Sequence, residues 1–447
     1  MRLGNAADHL GGELHGTDVE FSAISIDTRT LQAGDLYLAI QGGRFDGNDF
    51  VDEARHKGAC AAVVSRPIDS DIPQLLVDDT TVALGQIAML NRLASKARLV
   101  AITGSQGKTT VKEMTGNILG KAGPTLVTRG NLNNAIGVPL TLLELKDEHQ
   151  FGVIEMGANH AGEIAYSVGL VKPDVAAITN AARAHIEGFG SLEGVAEAKG
   201  EIIDGLGSEG VMVLNQDDRF FEIWKKRAGD RRVASFSASN GSADYVAADV
   251  QRAQDGKLTF RLVGEHMNEK VTLALLGRHN ISNALAAAAL AVEAGASAEH
   301  VRKGLESIET VKGRLSPVDN ILGGTLIDDS YNASPDSFRA AIDVLADLEG
   351  HRILLAGNMA ELGSTTQSLH AELGAYAREA GIDELWTIGE DAAYSSRSFG
   401  SGAWHFVDKE EVICRCRETL KPGVTLLVKG SRSAGLDEII QALASNA

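Results

Sequence analysis

The sequence predicts an α/β chain of three domains built on largely parallel sheets. Three observations carry this expectation. Its 447 residues exceed what one hydrophobic core organises and suit about two to four domains of ordinary size. Short apolar runs alternate with stretches rich in Ala, Leu and Glu, the βαβ rhythm of parallel sheets. Strand-like runs that end in polar or glycine-rich residues occur in two separate series, one before and one after the turn-rich segment 313–317.

The hydrophobic share of 44% and the charged share of 23% are those of a soluble globular protein. The opening MRLGNAADHLGGEL lacks a basic segment followed by an apolar one, and no apolar run reaches the roughly 20 residues that span a bilayer. A cytoplasmic protein without stable membrane insertion is expected. A net charge of −18 argues against nonspecific nucleic-acid or anionic-membrane partners. Cys60, Cys414 and Cys416 have neither redox nor zinc spacing and read as reduced, structural residues.

Taken in order, residues 1–82 form the expected first domain, and the amphipathic stretch 81–96 can bridge it to the second. The second, 83–315, contains LVAITGSQGKT at 99–109, FGVIEMG at 151–157 and DVAAITN at 174–180. Ligands bind beyond the carboxyl ends of strands in open α/β sheets, so Lys108, Glu155 and Asn180 should converge on one crevice. The third, 316–447, repeats the arrangement with TLIDDSYN at 325–332, ILLAGNMAELG at 353–363, ELWTIG at 384–389 and TLLVKGSR at 425–432.

The strongest motif runs from Thr103 through Gly104, Ser105, Gln106, Gly107, Lys108 and Thr109 to Thr110, between a strand and a helical stretch. Its glycines let backbone N–H groups curl around phosphate oxygens, Lys108 neutralises β and γ charge, and the Thr109 hydroxyl suits Mg²⁺. The loop is shorter than the usual phosphate loop, since Ile102 stands where a glycine would lie. A plain glycine-rich turn is the alternative. Glu155 ends the next strand, where a carboxylate can share Mg²⁺ with Thr109 or simply be solvated. His185 lies in a glycine-bearing loop, and a lone histidine there is more often structural. From spacing alone Lys199 reads as an exposed helix charge, and GFGSLEG at 188–194 as a turn.

From about residue 22 to about 436 these motifs, in this order, resemble the Mur ligases. The set comprises TGSQGKTT, GNLNNAIGVPLTLL at 130–143, EMGANHAGEI at 155–164, TNAARAHIEGFGS at 179–191, EAKGEI at 197–202, LLGRHNISNALAA at 275–287, KGR at 312–314, DDSYNASP at 328–335 and VKGSRSAGL at 428–436. The resemblance implies a UDP-sugar-binding first domain, a central ATPase and a Rossmann-like third domain. It implies ATP and Mg²⁺, with Lys108 on the γ-phosphate, Thr109 and Glu155 on one Mg²⁺, and His185 with a carbamylated Lys199 on a second. His279, Asn280 and Asn283 match its adenine-proximal motif, and Asn332 the segment that meets base or ribose from the third domain. Arg314 matches the arginine that approaches the terminal phosphate. Helix capping by Asn280 and a hinge ion pair at Arg314 are the structural alternatives.

On the substrate side, the resemblance points to Asn133 and Asn134, and in SIDTRTLQAGDLYLAIQGGRFDGNDFVDEA at 25–54 to Asp27, Thr28, Arg29, Gly42 and Arg44. Thr28 stands where serine is common, and Asn48 where histidine is. In the third domain LAGNMAELG and DDSYNASP resemble the branch that adds D-alanyl-D-alanine to UDP-N-acetylmuramoyl-tripeptide, with Asn358 for its Asp and Ser334 for its Asn. The DNPR signature of the diaminopimelate-adding branch is absent from the sequence. The implied chemistry is carboxylate activation as an acyl phosphate, then attack by the dipeptide amine. Asn358, Glu361, Lys429, Ser431 and Arg432 are expected at the acceptor edge facing the ATP crevice, with a solvated basic turn as the alternative for Lys429 and Arg432. A monomer is expected. Another ligase with the same core, or a nucleotide-dependent binding module without catalysis, is the competing reading.

Overall fold

The structure, a computed structural model, describes residues 1–43, 45–183, 186–239, 241–253 and 256–444. Three sheets follow one another along the chain. The first has five strands in the order Glu13–His15, Gln74–Leu76, Ala61–Val64, Leu36–Leu38, Ile24–Ser25, parallel except for its first pair. Ala61–Val64 is buried at every position, as expected of a strand covered on both faces.

The central sheet has nine strands. Thr125–Val127, Phe151–Glu155, Arg98–Thr103, Val175–Ile178, Val211–Asn215, Arg232–Ser237 and Tyr245–Arg252 run parallel, and Leu258–Gly264 and Met267–Leu273 extend the edge antiparallel. One face packs on helices Lys108–Ala122, His279–Glu293 and Ala298–Glu306. The other packs on Glu163–Val171, Leu192–Asp204 and Phe221–Ala228. The third sheet runs Ser316–Val318, Thr325–Asp329, Val424–Lys429, His351–Ala356, Glu384–Ile388, Ala403–Phe406, again antiparallel only at its first pair.

Helix Thr80–Ala94 fills the stretch read as a bridge. Asp79 caps it by accepting from the Thr81 and Val82 N–H groups. Ala83, Leu84 and Ile87 pack into the core of the first sheet and Ala88 into that of the second, so one helix serves two cores. The proposed limit between residues 82 and 83 falls in its first turn.

At the other junction, Gly313 and Leu315 both have positive φ, of 75° and 50°. The Leu315 N–H donates to Asp329 Oδ1 at 3.2 Å, an anchor that supports a left-handed leucine. Arg314, between Gly313 and Leu315, lines the cavity that separates the central and third sheets. No helix among the described residues is long and apolar enough to cross a membrane. The cysteines are unpaired, and Cys414 is exposed, so the structural reading fits Cys416 and the half-buried Cys60 but not Cys414.

Candidate active site

Three neighbouring central strands deliver the site. Strand Arg98–Thr103 leads into the phosphate loop, which lies directly on the loop after Val175–Ile178. The Ser105 N–H donates to the Asn180 carbonyl at 3.0 Å, the Gln106 N–H to Asn180 Oδ1 at 3.0 Å, and Thr179 Oγ1 to the Gln106 carbonyl at 2.6 Å. Gly104 has φ 146°, and a Cβ there would stand 1.9 Å from Thr179 Oγ1, so only glycine fits. Gly107, at φ 79°, abuts Asn283 Oδ1 just before helix Lys108–Ala122.

A cavity of about 410 Å³ opens above this loop, between the central and third sheets. It is lined by Ser105, Gln106, Gly107, Lys108, Thr109 and Thr110, by Asn133, Asn134, Glu155 and Asn180, by His279, Asn280 and Asn283, and by Arg314, Asn332 and Lys429. The structure therefore brings most of the sequence-derived nucleotide set together.

Lys108 Nζ donates to its own loop, to the Gly104 carbonyl at 2.7 Å and the Ser105 carbonyl at 3.2 Å. Burial pushes its pKa down; Glu155 opposes the shift and Arg314 adds to it. Glu155 is 1% exposed, and its Oε1 accepts from Asn133 Nδ2 at 2.7 Å. Its Oε2 is buried and lacks a hydrogen-bond partner. A free anionic oxygen in the same cavity as the Thr109 hydroxyl fits a Mg²⁺ that takes its remaining ligands from phosphate and water. No group of three His, Cys, Asp or Glu residues placed to hold a metal ion by themselves is present among the described residues.

Lys199 corrects the exposed-charge reading. It is 2% exposed, with Nζ 5.2 Å from the Phe189 ring centroid. Burial first, then the Lys108 charge, pushes its pKa down to about 7. His185, its expected metal partner, lies outside the described residues, as does Arg44.

His279 opens onto the cavity, and the surrounding protein lowers its pKa by desolvation. Asn280 and Asn283 are tied into the helix start. Asn283 Nδ2 donates to Asn280 Oδ1 at 2.8 Å, and Asn280 Nδ2 to the Leu276 carbonyl at 2.7 Å. Asn332 is exposed, and its Oδ1 accepts from the Ala333 N–H. Arg314 stacks over Tyr331 at 4.4 Å, and Arg432 reaches the same ring at 5.4 Å.

Strands His351–Ala356 and Val424–Lys429 are parallel neighbours and the Ser431 N–H donates to the Asn358 carbonyl at 2.9 Å, so these residues share a sheet edge, but of the acceptor set only Lys429 lines the cavity. Lys429 is 2% exposed and pairs with Asp329 Oδ2 at 2.7 Å while donating to the Asn332 carbonyl at 2.8 Å, which removes the solvated-turn reading for it. Burial lowers its pKa and Asp329 counters the shift. Asn358 points elsewhere: its Oδ1 accepts from the Ala392 N–H at 2.9 Å, and it lines a separate hollow with Ile388, Gly389 and Val407. Ser431 is buried with Oγ against Ser433 Oγ, Glu361 holds φ 61°, and Arg432 is exposed.

In the first domain, Arg29 forks onto Asp27, holding the carboxyl down at about 2, and Thr28 donates to Glu53 at 2.9 Å. Gly42 closes a turn onto the Phe45 carbonyl, and Asn48 is buried between Asp46 and Ser65. None of Asp27, Thr28, Arg29 or Gly42 lines the nucleotide cavity.

Contacts that tie the third domain to the central one include Gln106 Nε2 to Ser334 Oγ at 3.3 Å, the Arg183 N–H to Asp336 at 3.2 Å, Arg252 to Asp347 at 2.5 Å, and Leu276 packed on the third-domain core. Ser334 also caps helix Pro335–Ala346. Sequence reading missed Lys112, Tyr331 and Asp329. Lys112 lies one turn beyond Lys108, and Asp329 sits opposite Lys429 in the parallel register.

Family models agree with this geometry over most of the chain. The Mur ligase middle domain matches residues 102–291, the Mur ligase glutamate ligase domain 313–432, and the Mur ligase family catalytic domain 20–92. A UDP-N-acetylmuramoyl-tripeptide–D-alanyl-D-alanine ligase of Escherichia coli is 46% identical across 100% of this chain and 99% of its own length. This chain is a member of the Mur ligase family. Ligases of the same name from Haemophilus influenzae and Bacillus subtilis are 42% and 33% identical, over 95% and 98% of this Mur ligase and 94% and 97% of their own lengths. Among solved structures, MurF from Acinetobacter baumannii superposes with a TM-score of 0.92 at 35% identity, covering 98% of this chain and 97% of that one. MurF from Thermotoga maritima in complex with ADP gives 0.84 at 27%, covering 94% and 96%.

Proposed function

We propose that this Mur ligase forms the amide bond between the terminal carboxylate of UDP-N-acetylmuramoyl-tripeptide and the amine of D-alanyl-D-alanine, converting ATP to ADP and phosphate. The observation that carries the acceptor assignment is the full-length likeness to ligases of that name, which runs through the third domain as well as the ATPase.

The residues support an acyl-phosphate route. Lys108 and Arg314 both line the cavity and supply positive charge where the terminal phosphate and the attacking carboxylate must approach each other. The carboxylate oxygen bonds to the γ-phosphorus as the bond to ADP breaks. The dipeptide nitrogen then bonds to the acyl carbon, phosphate departs, and the nitrogen gives up its proton. Glu155 and Thr109 would hold Mg²⁺, and Lys199, carbamylated, with His185 a second; such ions neutralise phosphate charge in the transition state. Asp27, Thr28, Arg29, Gly42 and Arg44 serve the UDP moiety, and Arg432, the exposed cation on Tyr331, serves the dipeptide carboxylate. The nucleotide-linked substrate assigns the reaction to the cytoplasm, and one chain supplies every residue used.

The test is product mass. Purified protein with ATP, Mg²⁺ and UDP-muramoyl tripeptide is offered D-alanyl-D-alanine, D-alanine and diaminopimelate in turn. Only the dipeptide should be incorporated; preferential incorporation of a free amino acid overturns the acceptor assignment.

A further inference from the structure

Helix Lys108–Ala122 carries a second lysine on the face of Lys108, one turn later, and the phosphate-binding reading leaves it without a role. Lys112 is 0% exposed. Its Nζ donates to the Thr128 carbonyl at 2.8 Å and the Gly130 carbonyl at 3.1 Å, and pairs with Glu113 Oε1 at 2.9 Å. Two of the ammonium's three N–H bonds go to these carbonyls, and the Glu113 carboxylate adds an ion pair. Glu155 Oε2 stands 3.9 Å away, inside the field of the charge but beyond hydrogen-bond reach.

The same turn holds Glu155 from its other side. The Glu155 N–H donates to Thr128 Oγ1 at 3.1 Å, and the chain beyond Gly130 carries Asn133, which donates to Glu155 Oε1. A buried carboxylate needs a counter-charge, and a tight hydrogen bond from that charge would occupy the oxygen. Here the charge is spent on neighbouring carbonyls. The oxygen is held, electrostatically compensated, and left with open lone pairs.

We propose that Lys112 is a positioning residue for the metal: it fixes Glu155 and the 128–134 segment so that Glu155 Oε2 stays open to a divalent cation accompanying the nucleotide. The inference rests on the reading of Glu155 as a Mg²⁺ ligand. A purely structural lysine, saturating two carbonyls at the end of a strand, would affect stability alone.

The experiment uses the full chain and its Lys112→Gln, Lys112→Met, Glu155→Gln and Lys112→Gln/Glu155→Gln variants. ADP binding is measured by calorimetry in EDTA and across a Mg²⁺ titration, with thermal unfolding alongside. Both Lys112 variants should raise the Mg²⁺ concentration that half-saturates the metal-dependent gain in ADP affinity by about tenfold, the usual size of a lost supporting contact. ADP affinity in EDTA should change by less than about twofold, since the nucleotide's own contacts remain. The double variant should require no more Mg²⁺ than Glu155→Gln alone. An unchanged Mg²⁺ requirement with a lowered melting temperature, or strictly additive losses in the double variant, overturns the proposal. Failure of both single Lys112 variants to fold even with Mg²⁺ and ADP also overturns it and makes the lysine a core residue. If Glu155→Gln itself leaves the Mg²⁺ requirement unchanged, the metal reading of Glu155 has failed first.

Discussion

At the scale of single residues, charge in a confined space decides what each side chain can do. Lys108 spends its donors on its own loop, so its loss should spare the fold. Lys108→Ala is expected to lower turnover by at least about 10³-fold with an unchanged circular dichroism spectrum, because in the proposed reaction the phosphate would lose its main positioned cation. Lys199→Ala should be similarly inactive and partly rescued by added formate or acetate, whereas Lys199→Arg should not be, since a guanidinium is neither carbamylated nor deprotonated. A plain lysine in crystals of the nucleotide complex would refute that role. Arg432→Lys keeps the charge and loses the fork, so KM for D-alanyl-D-alanine should rise by roughly tenfold while KM for ATP stays within about twofold. Equal weakening of all three substrates would remove Arg432 from the acceptor. The phosphate loop was legible because its glycines, lysine and flanking strand and helix are contiguous. The burial of Lys199 was less so, although Val195, Ala196, Ile202 and Ile203 on the same helix mark a heavily buried element. Lys429 misled because the strand Val424–Lys429 runs on into it; its ion partner lies a hundred residues earlier in sequence, opposite it in register.

At the scale of elements, strand order places the site and local hydrogen bonds tune it. Phosphate loop, Glu155 and Asn180 follow adjacent parallel strands, and this convergence could be read from three apolar runs with polar ends. The acceptor residues follow the same logic only in part. The loop after His351–Ala356 turns Asn358 toward Ala392, a direction set by long-range contacts that no local pattern encodes. That loop is pinned by His370, fully buried on helix Thr366–Glu379, whose Nε2 accepts from the Met359 N–H at 3.0 Å and whose Nδ1 faces the Thr366 carbonyl at 2.8 Å. Burial lowers its pKa from the ordinary 6.5, with the Thr366 carbonyl opposing the shift. The unfolded chain therefore takes up a proton that the folded chain refuses. The associated stability is present above pH 6.5 and is lost as pH falls below it, with a slope of at most about 1.4 kcal/mol per pH unit. Urea midpoints measured between pH 7.5 and 5.5 should fall more steeply in the wild type than in His370→Gln; parallel curves would refute this.

For the whole molecule, the third domain closes the nucleotide cavity, and it is joined to the central domain by the packing of Leu276 on its core and by polar contacts, some of them exposed. Among these contacts Arg252 and Asp347 are both substantially exposed, which makes their ion pair worth about 0–1 kcal/mol. Substrates that bridge the domains should shift the balance toward closure. Small-angle scattering is expected to show a smaller radius of gyration with ATP analogue and UDP-tripeptide than without, and Arg252→Ala should enlarge the unliganded radius while leaving the liganded one unchanged. Identical radii in all states would refute ligand-driven closure. The three-part layout was legible from length and rhythm; which contacts join the parts was not, because they pair residues up to 228 positions apart. The first junction differs in kind from the second. Helix Thr80–Ala94 completes the interior of the N-terminal sheet and also rests on that of the central sheet. As the polypeptide leaves the ribosome, the leading residues therefore cannot settle into their final packing until a segment shared with their successor has emerged. The N-terminal and central portions should mature jointly during synthesis, and the third portion, whose chain connection is a short turn, can be added to a scaffold already assembled.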